Sequence, residues 1–117
     1  MIRFVSGHLD LSATEFEAHY RAVLDEALAR GDSFIVGDAR GADAMSQAYL
    51  WGRTSAVTVY HMFTSPRNNV GFQTIGGFQS DEERDQRMTA VSDADIAWVR
   101  PGREKSGTQR NIDRRKM

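Results

Sequence analysis

The sequence predicts an α/β fold, a small Rossmann-like three-layer domain with a parallel sheet of about four strands and helices on both faces. Three observations predict it. Short runs rich in β-branched and aromatic residues alternate with longer amphipathic stretches. The runs end in Ser-Gly, Gly-Asp, Ser-Pro and Pro-Gly, which are turn residues. No internal repeat, low-complexity block or linker divides the chain, so residues 1–117 read as one domain.

The elements follow in order. Ile2 to Gly7, IRFVSG, reads as a buried first strand. Ser12 and Glu15 make an S-x-x-E capping box, and Phe16, Tyr20, Val23, Leu24, Ala27 and Leu28 share one face of the helix that follows. Gly31 stops that helix. SFIVGD is a second strand, ADAMSQAYLWG a second helix with Ala44, Ala48 and Trp51 inward, and AVTVYHMF a third strand. Thr64 to Ser80 fits neither period and carries Pro66, Gly71, Gly76 and Gly77, so it is expected to be a long functional or mobile loop. Ser80 and Glu83 repeat the capping box ahead of a third helix, with Met88 and Val91 inward. Asp95 to Arg100 is a fourth strand, and a short terminal helix begins at Thr108. Such alternation implies parallel strands, because parallel pairs need crossover connections.

Composition narrows the chemistry. The net charge of −1 is unevenly spread: from Arg100 onward seven basic residues face two acidic ones, near +5, which leaves the rest near −6. Arg114, Arg115 and Lys116 read as a solvated basic tail. The chain has no cysteine, and its three histidines, His8, His19 and His61, are not at zinc spacing, so no metal and no cofactor is expected. The opening MIRFVSG has no leader character and no apolar run reaches membrane-spanning length, which predicts a cytoplasmic protein without membrane attachment.

In an open α/β sheet, ligands sit where the carboxyl ends of the strands meet helix N-termini. Four segments converge there: SGHLD, GDARGAD, TSPRNN and PGREKSGT. Ser106, Gly107 and Thr108 at a helix start suit a phosphate, because glycine permits close approach and the unpaired N–H groups and helix dipole favour an anion. Arg103, Lys105 and Arg110 stand beside them. Gly37 and Gly41 make the second turn, Asp38 is a candidate acceptor for ribose hydroxyls, and Arg40 can fork onto an anion. Asp43 has a structural alternative as helix N-cap. Ser6 and Gly7, with Arg67 and Asn69 from the long loop, complete the expected ligand set, and His8 stands on the same rim.

These residues resemble the SLOG superfamily of Rossmann-like domains, which includes the DNA-processing protein A domain and the "lonely guy" phosphoribohydrolases. The resemblance is carried by FVSG, IVGDARGADAMSQAYL, VTVYHMFTSPRNNVG, ERDQRM with SDADIAWV, and KSGTQRNI, and extends especially to small uncharacterised bacterial and phage proteins of that type. It implies binding of a nucleotide or nucleotide-derived ligand as a sensor or carrier, and in some members hydrolysis of an N-glycosidic bond. The chain departs from the enzymes at one telling place. Where they carry a catalytic glutamate after the glycine-threonine turn, it has Gln109, Arg110 and Asn111. A hydrolase would therefore need Asp85 or Asp38 as its carboxylate, since the cationic sugar centre requires one. A nucleic-acid-binding module is the third and least favoured class, given the acidic first ninety-nine residues. A four-stranded sheet without the further strand of larger relatives leaves edges uncovered and predicts a homo-oligomer.

Overall fold

The computed structural model describes residues 1–116. Its strands are β1 (Ile2–Val5), β2 (Ser33–Gly37), β3 (Val57–Met62), β4 (Gln73–Phe78) and β5 (Ala94–Ile96). Its helices are α1 (Ala13–His19), α2 (Arg21–Ala29), α3 (Ala42–Leu50), α4 (Asp81–Val91) and α5 (Gly107–Arg115). The strands form one all-parallel sheet in the order β4-β3-β2-β1-β5. The α/β class, the parallel sheet and the helices on both faces are as the sequence predicts.

Period-two alternation builds both faces. Val5, Val36 and Val59 point to one side, where they pack with Phe16, Tyr20, Leu24 and Ala27 of the first helical stretch and with Ala42 and Leu50 of α3. Phe4, Ile35 and Tyr60 point to the other, against Phe78 and Met88. The register Phe4↔Ile35 and Val5↔Val36 keeps each set on its own face.

The sheet has five strands where about four are expected. The extra one, β4, lies inside the supposed loop from Thr64 to Ser80. Five of its six residues are exposed, and it pairs only with β3 at the sheet edge, so no apolar run marks it. Gly76 is required there, since a Cβ would stand 2.0 Å from Cε1 of the His61 ring, which lies over the strand. The expected first helix breaks at Tyr20 into α1 and α2, and the last strand is shorter than Asp95 to Arg100. Val23, Trp51 and Val91, expected inward, are 39%, 52% and 40% exposed. Trp51 follows α3 in extended backbone and meets Phe72 edge-on, while Val91 ends α4, beyond its last buried turn. Among the described residues no helix is long and apolar enough to cross a membrane.

Candidate functional site

The strand order reverses next to β1. The chain steps outward from β1 through β2 and β3 to β4, then returns to the other side of β1 as β5. Loops leaving β1 and β5 separate there in opposite directions, which opens a crevice at the carboxyl ends of the strands. A cleft of about 460 Å³ lies at this point, lined by the turn after β1, the end of β2 and the starts of α3, α4 and α5.

Its floor is a charge cluster centred on Arg84, which is 6% exposed. The Arg84 guanidinium donates from Nη1 to Asp38 Oδ1 at 2.8 Å and from Nε and Nη2 to Asp85 Oδ1 at 3.1 and 3.0 Å, and it pairs with Asp81 at 3.2 Å. Asp38, 1% exposed, accepts four hydrogen bonds: the Arg67 N–H (2.8 Å), Arg67 Nε (3.2 Å), Arg67 Nη2 (2.8 Å) and Arg84 Nη1. Burial works to raise the Asp38 carboxyl, but the Arg67 hydrogen bonds and the two guanidinium charges hold it below the usual carboxylate range. A carboxylate offers about four acceptor positions, so Asp38 is fully used in anchoring the segment after β3.

Asp85 stands differently. It lines the cleft with its side chain 17% exposed, and its Oδ2 accepts from Asn111 Nδ2 at 3.1 Å, which ties α4 to α5. Asp43 does not cap α3; Gly41 holds the N-cap position, and Asp43 instead turns back to accept from the Ala39 N–H at 3.1 Å. Complete burial pushes its carboxyl up to about 7, with Arg84 opposing and Asp85 and Asp38 adding to the rise. Gly37 makes this packing possible, since a Cβ there would lie 2.5 Å from Asp43 Oδ2 and 2.9 Å from Arg84 Cζ.

The opposite wall is the start of α5. Ser106 caps the helix through the Gln109 N–H (3.2 Å), and Gly107 and Thr108 line the cleft. A Cβ at Gly107 would meet only the Arg110 guanidinium, at 3.5 Å, so packing does not demand glycine here. Arg110 and Arg114 line the same wall and donate to the Lys105 carbonyl and the Asn111 amide oxygen rather than to carboxylates. Ser6, which also lines the cleft, is 6% exposed, and its hydroxyl has no hydrogen-bond partner among the described residues. His8, beside it, accepts the Arg100 N–H on Nε2 at 2.8 Å, which leaves the hydrogen of the neutral ring on Nδ1. Burial, with Arg103 and Arg100 nearby, lowers its pKa.

The structure thus brings Ser6, Gly7, Gly37, Arg67, Asp85, Ser106, Gly107 and Thr108 to one cleft. It does not bring Arg40, which is exposed and outside the lining. Asn69 is also elsewhere, closing its own turn by accepting from the Gly71 and Phe72 N–H groups, both at 3.0 Å. Gly41, at φ 74°, lets the backbone pass His8 and Leu9, whose carbonyl oxygens would stand 2.4 Å from a Cβ. Gly7 likewise makes room for the Tyr20 hydroxyl and Ala42. The basic end is not a free tail. Arg100 forks onto Glu15 with two bonds of 2.8 Å, and Arg115 reaches Asp95 and the Ser92 carbonyl. Sequence reasoning gives Arg84 no central role, although its position four residues before the inward Met88 places a charge on the buried face of α4.

The chain matches no protein-family model, no curated protein and no solved structure.

Proposed function

We propose that the cleft binds a nucleotide or nucleotide-derived ligand through its phosphate, and that the protein acts as a sensor or carrier of that ligand. One observation carries the reading. The start of α5 opens onto a cleft beside the unpartnered Ser6 hydroxyl, with Arg110 and Arg114 on the same wall. Unpaired N–H groups, a free hydroxyl and guanidinium groups make an anion site. The acidic floor offers acceptors for sugar hydroxyls or a base amino group. Thermal shift against nucleoside monophosphates, ADP-ribose and cyclic dinucleotides tests the proposal. A millimolar ligand is expected to raise the melting temperature of the wild type, and Gly107→Ala with Arg110→Ala is expected to remove the shift while leaving the unliganded melting temperature close to the wild type. Absence of any shift across the panel sinks the reading.

A nucleotide N-glycosidase is the second reading, and Asp85 is the observation in its favour. Of the two carboxylates expected to serve, it is the one that lines the cleft, while Asp38 is committed to Arg67 and Arg84. Incubation with nucleoside monophosphates and chromatography for free base decides it, with Asp85→Asn expected to abolish release. The expected homo-oligomer belongs to the proposal as well, because β4 is an exposed edge with Ile75 45% and nearby Phe63 57% exposed. Light scattering on the eluting protein is expected to give more than the monomer mass.

A further inference from the structure

We propose that the Asp43 carboxyl enters the cleft as a neutral hydrogen-bond donor, and that it selects nucleotides presenting a ring nitrogen or carbonyl acceptor of the base at that point. This rests on the reading of the cleft as a nucleotide site.

The geometry of the floor carries the inference. Four carboxyl groups, Asp38, Asp43, Asp81 and Asp85, crowd around two guanidinium groups, Arg67 and Arg84. The guanidinium of Arg84 directs its hydrogen bonds to Asp38 and Asp85 and its remaining ion pair to Asp81. Asp43 is left with the Ala39 N–H on Oδ2 alone, at 3.1 Å. It is also the most enclosed position of the four to lie on the cleft, at 6% exposure, while Asp38 is outside the lining. Asp81 is exposed, and the two guanidinium groups cannot neutralise the three enclosed carboxyls, Asp38, Asp43 and Asp85, so the one without a guanidinium bond keeps its proton. The groups facing it are Asp38 beyond β2, Arg84 and Asp85 on α4, and the Tyr20 hydroxyl between α1 and α2. Its burial pushes the carboxyl up to about 7, which agrees with the count of charges.

A neutral acid donates where a carboxylate only accepts. With Oδ2 held by Ala39, the remaining oxygen is the one available to a ligand seated on the floor. An aspartate here therefore reads an acceptor on the ligand, whereas Asp85, bound by Arg84 and Asn111, reads a donor.

The experiment has two arms. In the ligand-free protein, the carboxyl carbon of Asp43 is followed by NMR from pH 4 to 9; a midpoint above 6 is expected, and one below 5 overturns the proposal whatever binds. Then the affinities of AMP, GMP, CMP and UMP, with ribose 5-phosphate as the base-free probe, are measured by calorimetry at pH 6 and 8 on the wild type and Asp43→Asn. The ratio of wild-type to variant affinity cancels the titration of the phosphate itself. That ratio is expected to fall about tenfold from pH 6 to pH 8 for at least one nucleotide, the change in protonated fraction for a midpoint near 7, and to stay flat for ribose 5-phosphate. A flat ratio for nucleotides that do bind overturns the role of Asp43 and leaves the nucleotide site standing. An equal fall for ribose 5-phosphate overturns recognition of the base. Failure of every nucleotide to bind the wild type overturns both the site and the donor role.

Discussion

At the scale of residues, Arg84 and its neighbours decide the character of the cleft. Removing a guanidinium that holds Asp38, Asp81 and Asp85 leaves buried carboxylates uncompensated, so Arg84→Ala is expected to cost about 3–5 kcal/mol at pH 7 by urea unfolding. A smaller penalty would mean that the cluster is already open to water. Gly37→Ala drives a methyl group into Asp43 and Arg84, and overpacking of this kind is expected to cost about 1–3 kcal/mol. Asp43 itself acts against folding above acid pH. Its carboxyl rises from 3.8 to about 7, so between those values the unfolded chain releases a proton that the folded chain retains. Stability from this group is complete below pH 4 and is lost by pH 7. Melting temperatures of Asp43→Asn are accordingly expected to gain on the wild type as pH rises through that window, and a constant difference would contradict it.

At the scale of elements, α1 and β4 show opposite designs. The start of α1 is a full capping box, with the Glu15 N–H bonded to Ser12 Oγ and the Ser12 N–H to Glu15 Oε1, and Glu15 also holds Arg100. The Arg100 hydrogen bonds and then the Ser12 N–H bring the Glu15 carboxyl down to about 2. A lowered carboxyl stabilises above its unfolded value of 4.5 and ceases to do so as pH falls toward 2. Glu15→Gln is therefore expected to remove part of the acid-induced loss of melting temperature between those limits; an unchanged acid limb would show the Arg100 fork to be unimportant. The edge strand β4 carries few buried groups and pairs on one side only. Its amides are expected to exchange with deuterium well before those of the central β2, and equal protection would refute an exposed edge.

At the scale of the whole molecule, the alternation of apolar runs and amphipathic stretches settles the α/β class and the parallel sheet, because each buried strand needs both faces covered and each crossover needs a helix. Ser106, Gly107 and Thr108 were legible as a helix start on the rim at the carboxyl ends of the strands for the same local reason. β4 was not legible, since an exposed edge strand of Gln, Thr, Ile and two glycines has no hydrophobic signature and is defined by its pairing with β3. Nor could sequence divide the acids of the rim into those saturated by arginine and those left free. Spacing places Asp38 at the end of a strand, but its partners, Arg67 and Arg84, arrive from segments 29 and 46 residues away. The sequence by itself determined which elements form and on which rim their turns gather, because those follow from local periodicity and turn chemistry. Only the tertiary structure decided which carboxyl anchors a loop, which faces the cleft and which is enclosed without a guanidinium bond, because hydrogen bonding and burial are set by how the segments pack together.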